Sequence, residues 1–297
     1  MSLVAATGAL ELGFAYALLA FGIYISFRIL NIPDLTVDGS FVLGAAVSAV
    51  LTGSGHPVPG IAVAALAGCA AGCVTAIQQT KFGIPPILAG ILTMTGLYSI
   101  NLLVMSGKAN VPMLGKTNVF SLLEKAADIR YSKLVILFFV VLLVFLFYNY
   151  FFKTQLGLSI RATGDNEAMV RASSIDTDMA KIIGFGLSNA TVAVSGALVA
   201  QMQQSADINM GAGMIVIGLA SLIIGDAILK NKTVFRGLLS VIIGSVVYRF
   251  LIALILTTSL PPSFLKLISA LVVAVAISLP NLRVKTGFSR LRIREGE

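Results

Sequence analysis

The sequence predicts an all-α membrane protein, a polytopic bundle of about nine transmembrane or partly re-entrant helices, and three observations lead there. Of 297 residues, 57% are hydrophobic and only 11% are charged, less than half the share that soluble domains carry. Mean hydropathy is +0.96, a value that water as main solvent does not tolerate. The apolar residues also lie in runs of about 20, the length that crosses a hydrocarbon core. An ordinary cytosolic enzyme and a disordered regulator are both excluded.

The runs follow one another with short polar breaks. Thr7 to Phe27 is the first; Glu11 lies inside it and no basic residue precedes it, so it lacks the charged start of a signal peptide and is expected to be retained. Asn31, Pro33, Asp34 and Asp38 then interrupt the chain before a second run, Gly39 to Leu51, which is short for a span and reads as a broken or partly re-entrant helix. Val58 to Ile77 and Pro86 to Met105 come next. In the third run Gly68 and Gly72 stand beside Cys69 and Cys73. Each pair is four residues apart and shares a helix face, so both are read as small packing residues rather than redox thiols. Leu134 to Phe152, Ile182 to Met202, Ala212 to Leu229, Gly237 to Leu256 and Phe264 to Leu279 complete the series.

The net charge is +8, and its distribution explains it better than a polyanionic partner would. Lys and Arg are retained on the cytoplasmic side of spans. With the amino terminus outside, that side gathers Arg28, Lys81, Lys153, Arg161, Arg171, Lys181, Lys230, Lys232, Arg236 and the basic residues from Arg283 onward. No nucleic-acid partner is expected. An internal similarity fits the same topology. Gly39-Ser-Phe-Val-Leu-Gly44 resembles Gly213-Met-Ile-Val-Ile-Gly218, each after a polar turn with aspartate. The copies open the second and seventh runs, an odd separation that gives them opposite orientations, as in an inverted repeat.

The segment 153–181 is too patterned for a linker. Gly164 is placed to stop one amphipathic stretch and Asp165 to cap the next, whose apolar stripe is Ala168, Met169, Ala172 and Ile175. Thr154-x-x-Gly157-x-x-x-Arg161-Ala162-x-Gly164, with Asn166, Ala168, Arg171 and Ile175, resembles the cytoplasmic coupling loop of bacterial ABC importer permeases of the branched-chain amino acid and ribose type. The likeness continues in Asn31-Ile-Pro-Asp-Leu-Thr-Val-Asp-Gly39 and in Gly218-Leu-Ala-Ser-Leu-Ile-Ile-Gly225. Within that family the chain looks closest to permeases paired with tryptophan and tyrosine binding lipoproteins.

The resemblance implies a single transmembrane permease domain over 1–297 in the bacterial cytoplasmic membrane. It also implies a second permease copy making a homodimer, an ABC ATPase subunit that binds the ATP, and an external substrate-binding lipoprotein. The loop residues expected to meet the ATPase are Arg161, Gly164, Asp165, Asn166, Glu167, Ala168 and Arg171. This chain carries no cofactor or metal of its own in that scheme, and membrane lipid is its solvent.

The remaining polar residues agree with a non-catalytic role. Gly115-Lys116-Thr117 is a fragment of a phosphate-binding loop, but Asn110 stands where the first glycine belongs. Energy must then come from another chain or an ion gradient. His56, the lone histidine, reads as an external turn. Asp34 and Asp38 either cap the following helix or line a vestibule. Asp226 and Lys230 are one turn apart and can pair. A charge as deep as Arg249 costs about 2.5 to 3.5 kcal/mol on insertion scales, so it must face protein or water. Asn31, Asp34, Asp38 and Arg249 are therefore the candidate translocation path. The competing reading is an ion-coupled secondary transporter, with Glu11 and Asp226 as its candidate carboxylates. Within the ABC class, branched-chain amino acids, sugars and nucleosides are alternative cargoes.

Overall fold

A computed structural model of the chain describes residues 3–127, 132–229 and 233–256, with isolated positions 267, 271 and 274. Helix α1 (Leu3–Ile23) continues into a π-helical segment, Tyr24–Ile29. The wide turn closes with Leu30 N–H on the Ile25 carbonyl at 2.9 Å, and Ile32 N–H reaches back to the Ser26 carbonyl at 2.9 Å. Asn31 between them has φ of 55°, the left-handed conformation that a short polar side chain tolerates at a helix end. An irregular stretch leads to α2 (Val37–Gly53), and then come α3 (Pro57–Thr80) and α4 (Pro86–Val104). Proline opens both of the latter, where its missing N–H costs nothing.

Beyond α4 the chain forms β1 (Asn110–Pro112), α5 (Val119–Ala127), α6 (Ser132–Phe151), α7 (Gln155–Asp165) and α8 (Glu167–Ala172). The long α9 (Thr177–Gln203), β2 (Ser205–Asp207), α10 (Met214–Ile228) and α11 (Val234–Leu256) follow. Strands β1 and β2 pair antiparallel, with Val111 opposite Ala206. The clasp carries no periodic signal in three-residue strands, and α5, nine residues long, is too short to register among runs of spanning length. Among the described residues, six helices are long and apolar enough to cross a membrane, while Val37–Gly53 and Met214–Ile228 are apolar but shorter. Eight of the expected runs thus correspond to helices; the ninth, Phe264 to Leu279, lies outside the described residues apart from the three isolated positions, and Lys230 lies outside them too.

Helices α2 and α9 form the buried centre, with α1, α3 and α10 around them. Lipid tails are as apolar as leucine, so close packing and interhelical hydrogen bonds hold such a bundle. Both devices are present. A side chain at Gly68 or Gly72 would strike the α9 backbone at Asn189 or Phe185. The sulfurs of Cys69 and Cys73 pack over Gly186, so this face of α3 is a packing face, as its spacing indicates. Three serine hydroxyls donate to α1 carbonyls, each at 2.7 Å: Ser188 to Gly22, Ser195 to Ala15 and Ser245 to Gly13.

Candidate translocation path and coupling loop

The break after the first span brings two carboxylates into contact with the rest of the bundle. Asp34 is 3% exposed. One of its oxygens accepts from Thr36 N–H at 2.8 Å, the other from the Asn189 amide of α9 at 2.7 Å. Neutral donors therefore satisfy it, and among the described residues no cation forms an ion pair with it. Asp38 sits in the first turn of α2 yet caps a different helix. Its oxygens accept from Gly213 N–H at 3.0 Å and Ile215 N–H at 2.8 Å, at the start of α10. The carboxylate faces the positive end of that helix, where a negative charge is favoured. The two similar glycine-led segments thus begin side by side; of the two expectations for Asp34 and Asp38, capping of α2 is corrected for Asp38, which caps α10 instead and also lines the adjoining cavity.

A cavity of about 390 Å³ opens beside this junction. Asp38, Gly39, Met94, Tyr98, Asn101 and Asn209 are among its walls. Asn101 is 1% exposed; its amide donates to the Gly39 carbonyl at 3.2 Å while its Oδ1 has no partner. A buried acceptor left unpaired costs about 1 to 3 kcal/mol, and among the described wall residues of this cavity Asn101 is the one that bears that cost. Sequence reasoning missed Asn101, Tyr98 and Asn209 because each lies in an ordinary-looking stretch and acquires meaning only from the fold. Asn31 shapes the break through its backbone. Arg249 belongs elsewhere: its guanidinium lies 3.9 Å from the Tyr16 ring centroid, and it lines a separate cavity with Gly8 and Leu12. The ring face replaces part of the hydration that a buried cation loses.

At the loop, the signature residues acquire mechanical reasons. The Thr154 hydroxyl accepts from Gly157 N–H at 3.3 Å and so caps α7, and Gly157 has no side chain because one would strike the Phe151 carbonyl. Gly164 does not stop α7. It lies within it, pressed on the Ile29 carbonyl, where any Cβ would collide. Nor does Asp165 cap α8: the side chain of Asn166 does, accepting from Met169 N–H at 3.1 Å. Glu167 pairs with Arg171 at 2.9 Å and with Lys181 at 2.7 Å, while Asp178 pairs with Arg171 at 3.5 Å and with Lys81 at 3.1 Å. This network ties α8 to α9 and to the end of α3. Ala168 and Met169 remain exposed, Arg161 is exposed as well, and Ile175 is 38% exposed. The Asp226 to Lys230 pairing cannot be followed past residue 229, but Asp226 accepts from Ser240 at 3.4 Å.

An α-helical bundle with a broken span, a junction of two short helices and a capped helical loop at one end defines a multi-pass membrane protein. The comparisons with known proteins place it further. A family model described as "Branched-chain amino acid transport system / permease component" matches residues 6–278, and the chain belongs to that family, as a multi-pass protein of the bacterial inner membrane. It is 37% identical over 269 residues to a tyrosine transport system permease protein of Clostridioides difficile (strain R20291), covering 90% of this chain and 88% of that one. It is 33% identical over 276 residues to an uncharacterized protein of Rickettsia prowazekii (strain Madrid E), covering 91% and 95%. A galactofuranose transporter permease protein of Escherichia coli (strain K12) is 26% identical over 284 residues, covering 94% and 80%. No solved structure matches the chain.

Proposed function

We propose that the chain is the membrane subunit of an ATP-driven importer for amino acids, with the aromatic amino acids tyrosine and tryptophan as cargo. Two copies form the pore, a separate ABC ATPase docks on the α7–α8 loop, and an external binding lipoprotein delivers the solute. The cargo assignment is supported by the likeness to a tyrosine permease, which exceeds the likeness to the galactofuranose permease.

The observation that carries the proposal is the seat of Gly164 on the Ile29 carbonyl. The loop is thereby joined without slack to the last turn before the break. Gly184 of α9 lies against Leu30 on the other side. A push on α7 moves the end of the first span, then the Asn31–Asp38 segment, and through Asp38 the start of α10 beside the cavity. ATPase movement thus reaches the path through the Gly164 backbone contact and the Asp38 side-chain cap.

Proteoliposomes holding the permease, the ATPase and the binding protein encoded beside it test this. Uptake of labelled tyrosine that requires internal ATP is the expected result. Accumulation by the permease alone, driven by a proton or sodium gradient, overturns it in favour of a secondary transporter.

A further inference from the structure

Among the described residues, the cations at the loop end of the bundle fall into two groups, with the exposed Arg236 outside both. Lys81, Arg171 and Lys181 are all engaged by Asp178 and Glu167. Arg28, Lys153 and Arg161 enter no ion pair among the described residues, and all three line adjoining cavities. The larger, about 370 Å³, is walled by Lys153 and Arg161 with Asn149, Phe152 and Phe235. The smaller, about 250 Å³, holds Arg28 and Arg161 with Tyr24 and one acid, Asp165. Arg161, Thr233 and Val234 belong to both.

We propose that this cleft between α6, α7 and α11 is a binding site for an anionic phospholipid, with the phosphodiester held among Arg28, Lys153 and Arg161. Three cations stand against Asp165 in the cleft wall and Asp226, whose charge also reaches Tyr24, and the balance keeps the sign that a phosphate requires. Its walls are the terminal turns of three spanning helices, which is the depth of lipid headgroups, and basic pockets between spans at that depth suit such headgroups. Neutral donors stand beside the charges in the Tyr24 hydroxyl and the Asn149 amide. The apolar walls decide between a lipid and a free anion. Phe235 packs edge-on against Phe145 of α6 at 5.3 Å and is 48% exposed, so the α6–α11 seam beside the cleft presents an apolar ring to an acyl chain. An inorganic phosphate has no use for that ring. Arg161 is exposed as well, within the loop assigned to the ATPase, so the test separates a lipid from a carboxylate of a docked ATPase. The inference stands on the cleft alone and is independent of the transported solute.

Native mass spectrometry of the full chain released from nanodiscs of phosphatidylcholine with a minority of phosphatidylglycerol reads the site directly. The expected result is selective retention of phosphatidylglycerol. Each cation near an anionic surface is worth about fivefold, so Arg28→Gln, Lys153→Gln and Arg161→Gln together should lower the preference by about a hundredfold. Lys153→Gln alone, at an exposed side chain that leaves folding intact, should lower it by about fivefold. Unfolding temperatures in pure phosphatidylcholine confirm that each variant is folded. Retention unchanged in the single and triple variants overturns the proposal. Displacement of the lipid by an excess of inorganic phosphate would show a free-anion site and overturns it too. So would variants that lose ATPase binding while keeping the lipid.

Discussion

The carboxylate of Asp38 caps α10 from far along the chain, taking the backbone N–H of Gly213, 175 residues later, at 3.0 Å. A side chain in the first turn of α2 thereby anchors the first turn of α10, and both helices start at the wall of the same cavity. Removing a capping side chain costs about 0.5 to 2 kcal/mol. Asp38→Ala should therefore lower the unfolding temperature in detergent modestly and reduce uptake strongly, because α10 loses its fixed point. Asp38→Asn, which keeps one acceptor, should fall between. An Asp38→Ala permease that transports normally would mean that this cap is only structural.

Gly164→Ala should be the most damaging small change in the loop. The added methyl meets the Ile29 carbonyl, and overpacking of this kind typically costs about 1 to 3 kcal/mol. The expected phenotype is ATPase stimulation without matching transport, since the contact that passes motion to the break is forced apart. Gly53→Ala, where nothing lies within 4 Å, is the control. Measuring solute moved per ATP hydrolysed in both variants decides the matter; equal ratios would show that the Gly164 contact carries no motion.

The bundle was legible in the sequence because spans are long and their signal is summed over about 20 residues. The loop was legible too, but only to within one residue. Asp165 and Asn166 are adjacent and both are good caps, so composition cannot choose between them, whereas the chain geometry selects Asn166. Asp38 shows a deeper limit. Local reasoning offers its own helix as the partner, and the actual partner depends on how α2 and α10 meet. The same holds for Val111 and Ala206, paired across the clasp, and for Arg249, whose depth was evident but whose Tyr16 partner was not.

The charge distribution predicts that the β1–α5 side faces outward and the α7–α8 loop faces the cytoplasm. In a background with Cys69 and Cys73 replaced by alanine, a cysteine at Lys116 should react with an impermeant maleimide in intact cells. One at Ala168, exposed at the start of α8, should react only after lysis. The opposite pattern would reverse the topology and remove the loop from the reach of a cytoplasmic ATPase.

Asn101 gives the most discriminating test of the cavity. Its Oδ1 is buried without a partner, so replacing the residue with leucine removes an unsatisfied acceptor together with the single bond to Gly39. The substitution gives up one amide–carbonyl bond, worth about 0.5 to 1.5 kcal/mol, and relieves an unpaired buried acceptor that costs about as much, so the unfolding temperature of Asn101→Leu should stay close to that of the native chain. Uptake should not. If the solute passes Asn101 and donates to Oδ1, losing that hydrogen bond should lower the maximal rate by several-fold to about tenfold, the worth of a bond of about 1 to 1.5 kcal/mol. Half-saturation should be unchanged because the binding protein captures the solute. A variant with native stability and a native maximal rate would place the solute path elsewhere in the bundle.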